Sequence, residues 1–300
     1  IFEGFRPGVT ERLGLGPEDC QARNERLVYG RMTGWGQDGP MAQAAGHDIN
    51  YIALSGALHA IGPRGGKPVP PLNLVGDFGG GGMLLAFGLV CGILEAQRSG
   101  VGQVVDAAMV EGAAALMSMF FTMNAGGMFK EERASNMLDG GAHFYGTYET
   151  QDGKHIALGS IEPQFYALLV EKAELDPDDF SAQMDQSRWP EFQEKLSAVF
   201  KQKTRDQWCE IMEGSDVCFA PVLSISEVAD HPHNRARGTF QELEGVTQPA
   251  PAPRFSRTPV GLTHGSKSPG ADTRAVLQGA GYDGETIDQL IKAGAVGLPA

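Results

Sequence analysis

The stretch GHDINYIALSGALHAIGPRGGKPVPPLNLVGDFGGGG, residues 46–82, places ionisable side chains beside an unusual run of glycines. It holds His47 and Asp48 near its start and Asp77 near its end, and four consecutive glycines follow at 79–82. Adjacent glycines cost a helix backbone entropy, so they indicate either a close approach to the backbone or the presentation of free N–H groups. We therefore expect the rest of the fold to be arranged around this stretch.

The four glycines open an apolar segment, MLLAFGLVCGILEAQ at 83–97, which we predict to be a helix. We expect 72–75 to end a strand and 76–78 to form the turn before the helix. The first-turn N–H groups of a helix carry the positive end of its dipole, so they can hold a carbonyl oxygen that gains negative charge beside Asp77. Close packing through glycines, with Asp77 as an ordinary helix cap, explains the same pattern.

His47 lies where a loop meets the next regular element. An imidazole can accept or donate a proton near neutral pH, which is what a general base requires. Most single histidines have no catalytic role, so His47 alone decides nothing.

The composition and charge of the chain limit its function classes. With 300 residues, of which 42% are hydrophobic and 20% charged, it is long enough for one large globular domain or two smaller ones. The net charge of −13 argues against general binding to nucleic acid or to a membrane surface. The four cysteines lack metal-site spacing, so we expect reduced thiols and no metal. The longest apolar run, 83–94, is too short to cross a bilayer, so we expect no membrane span.

Strand and helix patterns alternate in the first half of the chain. RLVYGRM at 26–32 and the residues at 102–106 have the pattern of short strands, and 107–122 has that of a strongly apolar helix. This order is typical of a parallel sheet covered by helices, so we predict an α/β fold.

The pattern changes after about residue 140. GTYETQDGKHIALGS at 146–160 predicts two strands joined at an Asp-Gly turn. Pro163 predicts a helix start, because its missing N–H is not needed there. Mostly helical patterns follow, and a last short helix is expected at 284–293. We predict a large α/β domain over 1–139, a smaller α+β domain over 140–240, and a linker with a C-terminal segment that returns to the large domain over 241–300.

Eight stretches, in order over nearly the whole chain, resemble the family III CoA transferases. They are EGFRPGVTERLGLGP, RMTGWGQDGP, AGHDINYIALSG, PPLNLVGDFGGGG, GQVVDAAMVEG, NMLDGGAHFYGTYET, SIEPQF and APRFSRTP. The resemblance implies a Rossmann-like large domain, a smaller α+β domain and an interlocked homodimer. It also implies a further N-terminal Rossmann-like segment, with more CoA contacts, ahead of the position that matches Ile1.

The resemblance further implies a reaction at the α-carbon of an acyl-CoA, in which R and S 2-methylacyl thioesters are interconverted by removing and returning the α-proton. Matched residue by residue, His47 is the base for one face and Asp77 the base for the other. Glu162 is the carboxylate that pairs with the histidine, across subunits, and Asp48 adds to this network. The backbone N–H of Asp77 is expected to stabilise the enolate oxygen.

The resemblance also implies the contacts with the substrate. Arg6 and Arg12 match positions that contact CoA phosphates, and Tyr145 matches a pocket residue near the reacting centre. Methionines are flexible enough to line a pocket for apolar chains, although filling core gaps is their commoner use. The remaining expected contacts are Gly46, Tyr51, Gly76, Met109 and Met137. CoA is part of the substrate, so we expect no separate cofactor.

Two alternatives remain open at this point. In a CoA transferase Asp77 would instead be the nucleophile that forms an acyl-enzyme anhydride, and one fold serves both reactions. His47 together with Glu162 favours proton transfer, because a transferase needs no second base. In the second alternative, the chain is an inactive CoA-binding fragment.

Departures from the family pattern add further expectations. His143 and Gly146 stand where relatives often carry a proline and a polar residue, so we expect the acyl pocket to differ there. The sequence ends Gly-Leu-Pro-Ala rather than with a Ser-Lys-Leu peroxisomal signal, which favours the cytoplasm. We assign the protein to lipid and fatty acid metabolism.

Overall fold

The structure is a computed structural model that describes residues 1–299. They form two compact units, one covering Ile1–Val222 and one beginning at Leu223. The first unit contains two separate sheets, and the second contains a two-stranded hairpin. The domain boundaries expected at 139/140 and 240/241 stay a prediction.

A three-stranded parallel sheet lies in the first part of the chain. Its strands are β1 (Phe2–Glu3), β2 (Tyr29–Thr33) and β3 (Val104–Ala108), in the order β1-β2-β3. The parallel pairing confirms the α/β pattern. The helices around it are α1 (Val9–Arg12), α2 (Pro17–Arg23), α3 (Asp48–Leu54), α4 (Ala57–Ala60), α5 (Leu84–Ser99), α6 (Met109–Leu116) and α7 (Ser118–Ala125).

Helix α5 lies against this sheet through glycines. A Cβ added to Gly30 on β2 would come within 2.9 Å of the side chains of Leu85 and Leu89, and one added to Gly92 would come within 2.9 Å of Val28. Real Cβ contacts are not that short, so a larger residue at either position would force the neighbouring side chains or the helix to shift.

The residues before α5 are helical, which differs from the sequence prediction. Leu74–Met83 form a π-helical segment that continues directly into α5. The predicted strand end at 72–75 and turn at 76–78 are therefore wrong. The segment packs backbone to backbone on α6, since a Cβ on Gly112 would lie 1.8 Å from the carbonyl oxygen of Gly80. This tertiary contact, rather than local propensity, favours the wide helix.

The apolar helix is consequently longer than the sequence indicated. Leu74–Ser99 is continuously helical over 26 residues, with a mean hydropathy of 1.7 in its most apolar window, so its length and composition alone would allow a membrane crossing. The length argument based on 83–94 is therefore wrong. A single helix of this kind is weak evidence for a span, and 22% of its most apolar window is buried in this structure.

The second sheet of the first unit is antiparallel. Its strands are β4 (Tyr145–Glu149), β5 (His155–Gly159) and β6 (Phe219–Val222), in the order β4-β5-β6. The first two form the predicted hairpin. Three helices accompany this sheet, α8 (Pro163–Lys172), α9 (Trp189–Phe200) and α10 (Arg205–Met212), and a short 3₁₀ turn spans Asp179–Ser181.

The core beneath the second sheet is largely aromatic. Trp189, Phe192, Leu196 and Phe200 are all buried on α9, at intervals of three and four residues that place them on one face of the helix. Burying one such side chain stabilises the fold by about 1.5–3 kcal/mol. The structure confirms the helices predicted for this region.

The second unit is built from short elements. They are α11 (Pro232–Arg237), β7 (Phe240–Leu243), β8 (Val246–Pro249), α12 (Thr273–Gly279) and α13 (Gly284–Lys292). Helix α13 confirms the last predicted helix, and the Asp283 side chain caps it by accepting a hydrogen bond from the N–H of Thr286 at 2.8 Å.

His143 lies inside the aromatic core rather than in a pocket. Its side chain is completely buried among the rings of Phe144, Tyr166 and Phe192. Because the Tyr166 hydroxyl donates to the Phe180 carbonyl, the His143 Nε2, at 2.7 Å, donates to the Tyr166 oxygen. The His143 Nδ1 has no partner among residues 1–299. Burial lowers the pKa of His143 to about 4. The expectation that His143 alters the acyl pocket is not met.

Replacing this histidine should change how stability depends on pH. The folded-state pKa of His143 lies below its unfolded value of 6.5, so the unfolded chain binds more protons and stability falls as the pH drops from 6.5 through 4. Between pH 7 and 5 we expect His143 to account for about 2 kcal/mol of lost unfolding free energy, which His143→Leu should abolish. Urea unfolding at both pH values measures this loss.

The matched control is His155→Gln, because His155 is exposed. It should keep the wild-type pH dependence. If His143→Leu kept the wild-type pH dependence, His143 would not be the group that causes the loss of stability.

Candidate functional site

The carboxylate of Asp48 joins α3 to the π-helical segment. Its Oδ2 accepts hydrogen bonds from the backbone N–H groups of Gly76 at 2.7 Å and Asp77 at 2.8 Å. Asp48 is buried, and hydrogen bonds to an ionised acceptor are stronger than neutral ones. The Oδ1 of Asp48 is buried without a hydrogen-bond partner among the described residues. The two hydrogen bonds connect Asp48 to Gly76 and Asp77, which lie 28 and 29 positions later in the sequence.

Only glycine fits at position 76. A Cβ on Gly76 would lie 2.6 Å from the Oδ2 of Asp48 and 3.3 Å from the side chain of Ile52. Any side chain there would push the segment away from α3 and break the Asp48 contact. This packing explains the glycine, and the expected contact of Gly76 with the substrate stays a prediction.

The Asp48 contact holds the backbone of Asp77 against the residue that follows His47. His47 is the exposed residue just before α3, and its backbone N–H donates to the Oδ1 of Asn50 at 3.1 Å. Asp77 is half-buried, and its Oδ2 accepts from the Nδ2 of Asn73 at 3.2 Å. Asn73 was missed in the sequence because its spacing of four from Asp77 has meaning only if the segment is helical.

The backbone N–H of Asp77 is not a free donor in this structure. It is engaged by the Oδ2 of Asp48, which caps the start of the helical segment. The expectation that this N–H is open to an enolate oxygen is therefore wrong for this arrangement.

Tyr51 is packed tightly beside the same residues. Its ring meets that of Trp35 edge to face, with centroids 4.8 Å apart, and a Cβ on Gly46 would come within 2.8 Å of Tyr51 and 2.9 Å of Trp35. Burial raises the pKa of Tyr51, and the carboxylates of Asp77 and Asp48 raise it further. Trp35 was also missed, because nothing in the sequence pairs it with Tyr51.

A second group of site residues lies at one edge of the second sheet. Tyr145 begins β4 opposite Gly159, and Glu162 lies just before α8. Gly159 also donates its N–H to the carbonyl of Cys218 at 2.9 Å. Burial, followed by the charge of Glu162, raises the pKa of the Cys218 thiol, so the two side chains are close. Cys218 was not predicted as a site residue, since a lone cysteine has no distinguishing pattern.

The structure does not bring the two groups into contact. Among residues 1–299, no hydrogen bond or ion pair joins His47 to Glu162, and Glu162 is exposed. Their pairing stays a prediction.

The expected CoA contacts lie near β1. Arg6 and Arg12 are exposed, and neither has an ion-pair partner among residues 1–299. The buried Arg31, by contrast, pairs with Glu3 at 2.9 Å and with Glu11 at 2.7 Å, which holds β1 and α1 against β2. The guanidinium groups of Arg6 and Arg12 are thus available to an anion.

The two expected methionine contacts belong to different groups. Met109 begins α6, and its Cγ would lie 2.8 Å from a Cβ on Gly81, so it lies beside the π-helical segment. Met137 packs against the aromatic core of the second sheet. Among residues 1–299, no cluster of three or more His, Cys, Asp or Glu side chains is arranged to hold a metal ion.

Comparison with known proteins identifies the family of the chain. The sequence profile of CoA-transferase family III matches residues 1–273. The chain is 47% identical to the alpha-methylacyl-CoA racemase of Mus musculus over 97% of this chain and 77% of the relative. It is 45% identical to that of Homo sapiens over 97% of this chain and 76% of the relative. A crystal structure of a CAIB/BAIF family protein from Brucella suis shares the fold, with a TM-score of 0.76 and 21% identity over 93% of this chain and 74% of that chain. The chain therefore belongs to CoA-transferase family III.

Proposed function

We propose that this protein is an alpha-methylacyl-CoA racemase, which interconverts R and S 2-methylacyl-CoA thioesters. The observation that carries the proposal is the Asp48 contact with the N–H groups of Gly76 and Asp77, because it bonds the residue that follows His47 to the backbone of Asp77. The identity of 47% to the mouse racemase over 97% of the chain supports the same reaction.

In the proposed reaction His47 and Asp77 exchange the α-proton on opposite faces of the α-carbon. One residue takes the proton as a base, which leaves a planar enolate, and the other returns a proton from the opposite side. No electrons are gained or lost and no acceptor acid is consumed, so the reaction requires no cofactor beyond the CoA of the substrate. Arg6 and Arg12 are proposed to bind the CoA phosphates.

In this mechanism Asp48 acts as a positioning residue. It holds the backbone of Asp77 against α3, so the Asp77 carboxylate stays at a constant place relative to His47. Glu162 is proposed to orient His47 and stabilise its charged form. Because Glu162 is exposed and has no contact with His47 in one chain, we propose that it acts across an interlocked homodimer. We propose a cytoplasmic location.

The main test is proton NMR with a 2-methylacyl-CoA in deuterated water without an acceptor acid. We expect the α-proton signal to disappear and the methyl doublet to collapse, because each proton returned comes from solvent. Removing either base should slow exchange by about a hundredfold or more. His47→Ala and Asp77→Asn should therefore each lose exchange, and each should affect one stereoisomer more than the other.

The same experiment separates the alternatives. Transfer of CoA to an added carboxylate without α-proton exchange would identify Asp77 as the nucleophile of a CoA transferase. Neither exchange nor transfer by the intact protein would identify an inactive CoA-binding fragment.

Substitutions at Asp48 test its positioning role. Asp48→Ala leaves the N–H groups of Gly76 and Asp77 without their acceptor, and each unsatisfied buried group costs about 1–3 kcal/mol. We expect a large loss of exchange together with lower stability in denaturant unfolding. Asp48→Asn keeps a carbonyl oxygen for the two N–H groups, so it should retain more exchange activity and more stability than Asp48→Ala. Full exchange in a folded Asp48→Ala variant would refute the role.

Subunit complementation tests the proposed partnership between Glu162 and His47. Co-expressing His47→Ala and Glu162→Gln chains, each expected to keep only a small residual rate alone, should restore about a quarter of the wild-type rate, because half the dimers are mixed and each has one intact site. The rate of exchange by the unfractionated dimer mixture measures this, and purified mixed dimers should show about half the wild-type rate. No recovery in mixed dimers would place both residues in the site of one chain.

A further inference from the structure

The position of Glu162 depends on its backbone. Its side chain is exposed, and within residues 1–299 it makes no hydrogen bond or ion pair that would hold it. Pro163 follows and restricts Glu162 to extended conformations, as its φ of −70° and ψ of 141° show. Whatever holds the turn between β5 and α8 therefore decides where the carboxylate lies.

Ser160 anchors the start of that turn at three points. It is completely buried, its N–H donates to the carbonyl of Phe144 at 3.0 Å, and its hydroxyl donates to the carbonyl of Val217. Its own carbonyl accepts from the side-chain amide of Gln183 at 3.1 Å. The turn is thus tied to β4, to the chain before β6 and to the segment before α9.

Gln183 holds the turn at two consecutive carbonyl groups. Its Nε2 donates to the carbonyl of Ser160 and also to that of Ile161, at 2.9 Å, so both amide hydrogens are used. Gln183 is buried, and its backbone carbonyl accepts from the indole of the buried Trp189 at 2.8 Å. Gln183 thereby links the buried Trp189 to Ile161, the residue just before Glu162.

We propose that Gln183 is a positioning residue for Glu162, acting through the carbonyl groups of Ser160 and Ile161. This rests on the proposed role of Glu162 beside His47. A shift of the turn moves the Glu162 carboxylate relative to the imidazole, and hydrogen bonding in an active site is sensitive to displacements of about 1 Å. A purely structural amide would contribute stability and have no link to Glu162.

The test is a double-mutant cycle between Gln183 and Glu162. Gln183→Met keeps the side-chain length and removes both donors. We expect it to lower the kcat of α-proton exchange about tenfold with little change in KM, since neither proposed CoA contact, Arg6 or Arg12, lies in the turn. In a Glu162→Gln background the same substitution should cause no further loss. An equal loss of kcat in both backgrounds would overturn the proposal.

Gln193→Met is the matched control. The Nε2 of Gln193 also donates to a backbone carbonyl, that of Gly140 at 2.7 Å, but not in the turn before Glu162. It should lower the melting temperature about as much as Gln183→Met does and leave kcat unchanged. An equal fall of kcat in both glutamine variants would make the Gln183 effect a stability effect.

A second variant covers failure of Gln183→Met to fold. Gln183→Asn keeps two donors on a side chain one methylene shorter, so its loss of kcat should be smaller and should again vanish in the Glu162→Gln background. If wild-type protein shows exchange but Glu162→Gln keeps the full rate, the role of Glu162 fails and the Gln183 proposal falls with it. If Glu162→Gln loses activity but no coupling to Gln183 is found, only the Gln183 proposal fails.

Discussion

The hydrogen bonds from the N–H groups of Gly76 and Asp77 to the carboxylate of Asp48 are the interaction on which the site depends. One oxygen atom holds the start of a helical segment against the start of α3, and the contact is buried. It requires glycine at position 76, because a Cβ would occupy the place of the carboxylate oxygen. It also satisfies two N–H groups that have no partner within the helix. The backbone of Asp77 is thereby held beside the residue that follows His47.

Close backbone packing provides the frame around that contact. The carbonyl of Gly80 lies against Gly112 on α6, and Gly30 and Gly92 allow α5 to approach the sheet. Glycines that are poor helix formers in isolation are tolerated here because each permits a contact that no other residue allows. The glycine run indicated either close backbone packing or the presentation of free N–H groups. Close packing explains Gly80. The N–H groups of Gly76 and Asp77 serve the protein's own carboxylate.

The second half of the site is organised differently. Its residues stand at the edge of an antiparallel sheet whose core is aromatic, and the turn before Glu162 is held by buried hydrogen bonds from Ser160 and Gln183. The Glu162 side chain makes no hydrogen bond or ion pair within residues 1–299. A carboxylate held by a rigid backbone but left exposed is suited to meeting a group on another surface, which agrees with the proposed interlocked homodimer.

The sequence by itself determined the parallel sheet, the β4–β5 hairpin, the helix start at Pro163 and the family, because alternation, turn residues, proline and ordered motifs are local signals. It did not determine the helix over Leu74–Met83, since its glycines and apolar residues give no helical periodicity. Only the tertiary structure decided that Asp48 engages the N–H of Asp77, that Asn73 contacts Asp77 and that Gln183 holds the turn before Glu162. The physical reason is that the Asp48 and Gln183 contacts join residues more than twenty positions apart, and the Asn73 contact exists only once the segment is helical. No local pattern encodes such pairings, because they form only when distant backbones are packed closely enough for single atoms to meet.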